Sequence, residues 1–208
     1  MVLVSVIIPT YNNIINLFRA VDSVVDQTFK DFEIIIIDDC STQREYNLLE
    51  FPEPNITIIK LSEKLNESSN CQGLIKNIGI EKATGKYIAF LDDDDWWHPD
   101  KLKIQVELME RHSLKMSCTN AFFHTKEIKR LYFDKPIKNI LTLNDIIPEN
   151  FILNSSVIIL SSLIKEYKFK QIVDHNHDLW KEILKNNVCL YIKEPFLNYN
   201  EDRKVINK

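Results

Sequence analysis

Short runs of apolar, largely β-branched residues alternate with amphipathic segments through the first half of this sequence. Four runs predict buried strands, because each is short and is bounded by turn residues. They lie at 4–8, 33–37, 56–59 and 86–91. Helices are predicted at 14–25, 41–49, 71–83 and from Pro99 through Met109, where apolar residues or capping signals favour them. This alternation is typical of an α/β fold with a doubly wound, mostly parallel sheet and right-handed crossovers.

The second half is less regular and predicts a smaller mixed region. An extended pair is expected at 116–125 and 128–133, and further strands at 157–160 and 188–192. A helix is predicted at 178–187. The sequence contains no internal repeat, low-complexity tract or long linker, so we expect one domain of 208 residues, spanning 1–208.

Composition excludes several classes of protein. The chain has 26 basic and 30 acidic residues, a net charge of -4, so we expect no nucleic-acid partner. Its 3 glycines supply no glycine-rich phosphate loop. No apolar stretch is long enough to cross a bilayer, and the N-terminus resembles a strand more than a signal peptide. The 4 cysteines are widely spaced, which indicates a reduced, cytoplasmic protein.

Polar clusters follow three of the predicted strands. Residues 9–12 follow the first strand, Asp38 and Asp39 the second, and an unbroken run from Asp92 to Asp95 the fourth. Ligands of parallel α/β sheets bind beyond the carboxyl ends of the strands. We therefore expect the three clusters to converge on one edge of the sheet.

The run of four carboxylates is the strongest candidate for a site. Adjacent carboxylates repel one another, so they need a cation or strong hydrogen-bond donors, and hard oxygen ligands favour Mg²⁺ or Mn²⁺ over zinc. In an extended segment Asp92 and Asp94 would point to the same side and could face one metal ion on a nucleotide. A solvated acidic loop is the alternative, but the run follows a buried strand and precedes Trp96 and Trp97.

The other candidates have plausible structural explanations. Asp38 and Asp39 can accept hydrogen bonds from a base or ribose, or can serve as turn residues. Tyr11 can stack on a base and Thr10 can bond to it, or both can belong to a tight turn. Asp174, His175 and His177 precede the last predicted helix, where histidine could bind metal or exchange protons. The residues alone favour a polar helix start there, with Asp174 or Asn176 as the cap.

Several blocks of sequence resemble the family 2 glycosyltransferases, which have the GT-A fold. The blocks are 4–12, 24–41, 76–80 and 83–102, with a weaker likeness at 178–180 and 194–199. The resemblance implies a GT-A domain with a mostly parallel central sheet and a small mixed subregion on the acceptor side. Its first part, 1–100, would bind a nucleotide sugar, and 101–208 would bind the acceptor.

The resemblance also implies a reaction and a set of ligands. A sugar would move from a nucleotide sugar, expected to carry UDP, to a glycan or lipid-linked acceptor with inversion, in bacterial surface-polysaccharide synthesis. Mn²⁺ or Mg²⁺ would bind at Asp94. The protein would be cytoplasmic, with association at the inner face of the membrane left open. The donor nucleotide would contact Pro9, Thr10, Tyr11, Asn12, Asp38, Asp39, Lys76, Asp92 and Asp93.

Two positions depart from the family pattern. Lys76 stands where the family usually has arginine, which keeps the charge but loses the bidentate fork. His175 and Asn176 replace a Glu-Asp pair whose aspartate serves as the base, and asparagine cannot take that role. We therefore expect Asp174 to be the catalytic base, with His175 as the second candidate. A protein that binds a nucleotide sugar without transferring it is the alternative.

Two other classes handle phosphate or nucleotides but suit the sequence less well. A phosphate-signalling receiver needs a lone phosphoacceptor aspartate and a late lysine at a strand end, which a four-acid run does not provide. A nucleotidyltransferase would need the glycine-rich loop that this composition excludes.

Overall fold

A computed structural model describes residues 2–65 and 72–200. In this part of the chain ten strands form one sheet. They are β1 (Val4–Thr10), β2 (Phe32–Asp38), β3 (Ile56–Lys60), β4 (Tyr87–Phe90), β5 (Trp96–Trp97), β6 (Met116–His124), β7 (Lys129–Leu131), β8 (Ile140–Leu141), β9 (Ile158–Leu160) and β10 (Cys189–Asn200). The α-helices are α1 (Ile14–Val25), α2 (Gln72–Lys82), α3 (Lys101–Arg111), α4 (Leu143–Ile146), α5 (Ser161–Ile164) and α6 (His175–Leu184). Short 3-10 helices span Arg44–Leu48 and Asn154–Ser156.

The order of the strands confirms the predicted α/β architecture. Across the sheet it is β3-β2-β1-β4-β9-β6-β10-β5, with β7 beside β6 and β8 beside β10. The first four strands in this order are parallel, as the strand–helix alternation predicts. The second half contributes the mixed part: β9 is antiparallel to both β4 and β6, and β10 is parallel to β6.

The sheet is buried on both faces, which explains why its central strands are apolar without interruption. Alternate residues of β1 enter different clusters: Val6 packs with α1 and α3, whereas Ile7 packs with α2 and α6. The contact of α2 with β1 is especially close at Gly79. A Cβ atom there would lie 2.5 Å from Cγ2 of Ile7, so only glycine allows this approach.

Two elements of the second half differ from their predicted bounds. The last helix begins at His175, three residues before the predicted start at Asp178. The last strand does not end near Ile192 but continues to Asn200, with register shifts on either side of Pro195. These shifts let β10 pass a proline, which cannot donate to a ladder, and reach the edge where the acidic run lies.

One prediction in the first half also changes, and part of another lies outside the described residues. The segment predicted as a helix at 41–49 is the 3-10 helix at Arg44–Leu48, and Ser41 instead receives and donates hydrogen bonds that tie down two loops. Cys71, the first residue of the helix predicted at 71–83, lies outside the described residues. Among those residues, no helix is long and apolar enough to cross a membrane.

Candidate functional site

The three predicted polar clusters lie together at one edge of the sheet. Thr10 and Asp38 are paired at the ends of β1 and β2. The Thr10 hydroxyl donates to Oδ2 of Asp93 at 2.7 Å, which joins β1 to the acidic run after β4. The backbone N–H of Asp39 donates to the carbonyl of Thr10 at 3.0 Å. The convergence expected from the strand ends is therefore present.

A closed ring of hydrogen bonds holds this edge together. The N–H of Asn13 donates to the Tyr46 hydroxyl at 3.1 Å, and that hydroxyl lies 2.6 Å from Oγ1 of Thr10. Because Thr10 donates onward to Asp93, the tyrosine is the donor in the middle bond. The ring closes where Nδ2 of Asn13 donates to Oδ1 of Asp93 at 2.9 Å. Burial, and to a smaller extent the Asp93 charge, raise the pKa of Tyr46, which keeps its proton available.

The acidic run forms a turn, and the extended segment expected for it is wrong. The N–H of Asp95 donates to the carbonyl of Asp92 at 3.1 Å. The side chains still alternate: Asp93 and Asp95 are buried, whereas Asp92 and Asp94 are half-buried. The turn therefore presents two carboxylates outward and draws two into the protein.

Asp95 is the most deeply buried of the four acids. One carboxylate oxygen accepts from the N–H of Asn200 at the end of β10, at 3.0 Å, and the other is buried with no hydrogen-bond partner among the described residues. Burial raises the pKa of Asp95 well above its usual range, and the charges of Asp94 and Asp92 raise it further. Burial therefore disfavours the ionised form of Asp95.

Arg19 on α1 places a positive charge next to the acidic turn. Its guanidinium donates to the carbonyl of Asp94 at 2.7 Å and lies 4.0 Å from the ring centre of Trp96. Burial lowers the pKa of Arg19, while the nearby charges of Asp94 and Asp95 raise it. Nothing in the sequence separates this arginine from an ordinary exposed residue of a helix, so we did not predict it.

Lys76 on α2 connects the acidic turn to α6. It is only 1% exposed, and its Nζ lies 3.3 Å from Oδ1 of Asp92 and 3.3 Å from Oδ1 of Asn176. Asp92 also accepts from Nδ2 of Asn154 at 3.1 Å, and its own N–H donates to the Ser155 hydroxyl at 3.0 Å. No pattern in the sequence indicated that the 3-10 helix at Asn154–Ser156 would hold Asp92.

The two candidates for a catalytic base lie in different surroundings. The Asp174 side chain is 70% exposed, and its carboxylate lies 3.3 Å from Nδ1 of His177. His175 is buried against Phe169 and against Gly73 of α2. Burial and the charge of Lys76 lower the pKa of His175, so its ring is neutral near pH 7.

Asp174 occupies the N-cap position of α6, as the interpretation of a polar helix start expects, but its side chain makes no capping hydrogen bond. The α6 residue that reaches Lys76 is Asn176, which occupies the second position of the pair that departs from the family pattern.

The other residues predicted to contact the donor nucleotide lie at the end of β1. Asn12 has a left-handed backbone, with φ of 48°, and its side-chain oxygen accepts from the N–H groups of Thr42 and Gln43. Lys64 lies over the ring of Tyr11, 3.9 Å from its centre. Pro9 lies within β1. Asn12 therefore has a clear structural task, whatever ligand it meets.

The two aspartates after β2 differ in their tasks. Asp38 accepts from the N–H of Ser41 at 3.0 Å, which is the behaviour of a turn residue. Asp39 is fully buried, and one of its carboxylate oxygens accepts from the N–H of Leu65 at 2.8 Å. Asp38 therefore behaves as the turn residue that the sequence allows, and contact of this pair with a base or ribose stays a prediction.

The carboxylates of the edge suit a cation that takes most of its ligands from a substrate. In the described part of the chain, no three His, Cys, Asp or Glu side chains converge as a complete metal centre. Mg²⁺ and its relatives commonly bind one or two carboxylates together with phosphate oxygens and water. The half-buried Asp94, beside Asp92, offers that kind of partial ligand set.

Known proteins share sequence with this chain. The sequence model described as "Glycosyl transferase family 2" matches residues 5–169. A UDP-Glc:alpha-D-GlcNAc-diphosphoundecaprenol beta-1,3-glucosyltransferase of Escherichia coli, WfaP, is 30% identical over 191 residues, covering 90% of this chain and 72% of that protein. An uncharacterized glycosyltransferase of Rickettsia felis is 44% identical over 117 residues, covering 56% of this chain.

The fold has a counterpart among solved structures. Residues 1–349 of TarS from S. aureus, in complex with UDP-GlcNAc, match with a TM-score of 0.77 at 20% identity, covering 95% of this chain and 58% of that one. Such a likeness concerns the fold alone. The chain spans about a fifth of the length of the Rickettsia relatives that it matches.

Proposed function

Because the chain belongs to glycosyl transferase family 2, we propose that it transfers a sugar from a UDP-sugar to a hydroxyl group with inversion. The observation that carries this proposal is the shared edge, where Thr10 and Lys76 hold the acidic turn through Asp93 and Asp92. The acceptor would be a glycan or a lipid-linked saccharide of bacterial surface-polysaccharide synthesis. The E. coli relative, named for a diphosphoundecaprenol acceptor, supports this choice.

The donor nucleotide would lie across the ends of β1, β2 and β4. Thr10, Tyr11 and Asp39 would contact the base, and Asp92 would accept from a ribose hydroxyl. Lys76 would lie near the nucleotide while it neutralises Asp92. The hydrogen-bonded ring supports this assignment, because it fixes the turn before any ligand arrives and so lowers the ordering cost of binding.

A divalent cation, Mn²⁺ or Mg²⁺, would bind at Asp94 together with the donor diphosphate. When bound, such a cation stabilises the negative charge that develops on the departing nucleotide. The chain itself would orient the carboxylate: Arg19 holds the carbonyl of Asp94, and the buried Asp95 is tied to the end of β10.

The proton of the acceptor hydroxyl would pass to Asp174, which we propose as the general base. Its exposed carboxylate can meet an acceptor directly. His175 is the second candidate, since its ring is neutral near pH 7, but its burial keeps both ring nitrogens away from solvent. The contact of Lys76 with Asn176, where the family usually has a carboxylate, favours one alternative: a protein that binds the donor without transferring its sugar.

We further propose one domain, with 1–100 on the donor side and 101–208 on the acceptor side. Its setting would be the cytoplasm, at the inner face of the membrane wherever the acceptor is lipid-linked.

One set of assays tests the function. Release of UDP from a panel of UDP-sugars with Mn²⁺ and a GlcNAc-containing acceptor is measured for the wild type, Asp174→Ala and the exposed control Asp134→Ala. Transfer by the wild type and the control, with loss in Asp174→Ala, supports the proposed base. If the wild type binds the UDP-sugar but releases no UDP, the binding-only alternative is correct.

The metal assignment has its own readout, which is thermal stability. A ligand that binds only the native state stabilises it by about 2.7 kcal/mol at a hundredfold excess over its dissociation constant. We expect Mn²⁺ with a UDP-sugar to raise the Tm of the wild type, and Asp94→Ala to lose the part of the shift that depends on Mn²⁺. A full Mn²⁺-dependent shift in Asp94→Ala would exclude Asp94 as the ligand.

A further inference from the structure

The hairpin that follows β6 carries a charge opposite to that of the whole chain. Residues 126–131, which we call the basic hairpin, are all exposed. They include three basic side chains and one acidic, Lys126, Lys129, Arg130 and Glu127, so their net charge is +2 in a chain whose net charge is -4. Lys129 and Arg130 lie over the rings of Phe122 and Phe123, at 4.3 Å and 4.6 Å from the ring centres.

The basic hairpin also exposes aliphatic side chains. Ile128 is 51% exposed and Leu131 is 40% exposed. Cations interspersed with exposed branched apolar residues suit the boundary between phospholipid headgroups and acyl chains, where charge and apolar burial act together. A polyanionic glycan would match the charge but would leave Ile128 and Leu131 in water.

The hairpin leaves the sheet at the edge that holds the candidate site. β6 runs parallel to β4, because both are antiparallel to β9, so its last residue, His124, lies at the carboxyl edge. The His124 ring is 4.8 Å from that of Trp96, and Trp96 in turn lies under Arg19, which donates to the carbonyl of Asp94. A surface in contact with the hairpin would therefore be near the donor.

We propose that the basic hairpin docks this protein on an anionic phospholipid surface and so brings the candidate site to a membrane-bound acceptor. This inference rests on the proposed transfer to a lipid-linked saccharide, but the docking itself is measurable without any transfer. Lys126, Lys129 and Arg130 supply long-range attraction, and Ile128 and Leu131 enter the headgroup region.

The test is co-sedimentation of the full chain with vesicles of phosphatidylglycerol and phosphatidylethanolamine, compared with vesicles of phosphatidylcholine. We expect binding to the anionic vesicles only, weakened by salt. Lys126→Gln/Lys129→Gln/Arg130→Gln should weaken binding by at least about tenfold, since each cation near the surface contributes severalfold. Ile128→Ser/Leu131→Ser should also weaken it, and the Tm of each variant reports whether it is folded.

A matched control removes three cations from the opposite edge of the sheet. Lys82 and Arg111 end α2 and α3, Lys115 precedes β6, and all three are exposed. Lys82→Gln/Arg111→Gln/Lys115→Gln should bind anionic vesicles like the wild type.

Three results would overturn the proposal. They are absence of wild-type binding to anionic vesicles, equal loss in the control, and unchanged binding by the Ile128→Ser/Leu131→Ser variant. The last result would show that charge alone holds the vesicle, which removes the argument for a lipid surface over a polyanionic glycan. UDP release measured without vesicles separates the two questions. Docking without UDP release contradicts the proposed function alone, and UDP release without docking contradicts this inference alone.

Discussion

The ion pair between Lys76 and Asp92 should be an energetic link between α2 and the acidic turn. At 3.3 Å the two charges attract by about 5 kcal/mol if the effective dielectric constant is about 20. Lys76 is fully desolvated, but the Asp92 side chain is 33% exposed, so solvent screens part of that attraction. We therefore expect a coupling free energy of about 2 kcal/mol, and a cost of about 3 kcal/mol for Lys76→Met alone, which leaves Asp92 without its cation.

Urea unfolding of the wild type, Lys76→Met, Asp92→Asn and the double variant measures this coupling. The exposed pair Lys86 and Glu110 provides a matched control in the same chain, and its cycle should give less than about 0.5 kcal/mol. A coupling at Lys76 and Asp92 as small as that of the control pair would refute the reasoning, because burial would then add nothing to the pair.

Three further outcomes follow from contacts described above. Gly79→Ala should lower the free energy of unfolding by about 1–3 kcal/mol, because its Cβ would meet the buried Ile7; an unchanged Tm would show that α2 shifts freely. Thr10→Val should lower the free energy of unfolding by about 2–3 kcal/mol, because the variant removes the hydroxyl that Asp93 and Tyr46 share. Unchanged stability in urea would show that the ring of hydrogen bonds does not stabilise the fold. The pKa of His175 is lowered in the folded protein, so the unfolded chain binds the proton more tightly and stability should fall as the pH drops below about 6.5. The dependence of stability on pH in this range should be weaker in His175→Gln. An NMR titration of the wild type checks the pKa directly.

The first half of the fold could be predicted because its signals are local. Apolar runs such as 33–37 identify buried strands without knowledge of their neighbours, and the turn residues after them identify an edge. In a parallel α/β sheet the carboxyl ends of the strands meet at one edge, which is why the convergence that joins Thr10 to Asp93 was foreseeable.

The unpredicted parts depend on contacts between distant segments. Tyr46 and Arg19 look like ordinary residues of short amphipathic segments, and only the folded chain brings them to the acidic turn. The strand at 188–192 continues through Pro195 because β6 and β5 pair with its extension, and a local pattern cannot reveal that. The acidic run was expected to be extended, but the bond from Asp95 to Asp92 closes it into a turn.

The position of β9 between β4 and β6 has a consequence for the synthesis of this protein. The last residue of β4 is Phe90, but the strand that covers its outer edge begins only at Ile158. At a translation rate of about 5–20 residues per second, the ribosome needs roughly 3–14 s to make the intervening segment. During that time a strand as apolar as Tyr87–Phe90 has an open side on which other nascent chains can pair. Yield in a recombinant host should therefore depend on chaperone supply while the first 160 residues are being made, more than on the stability of the finished sheet.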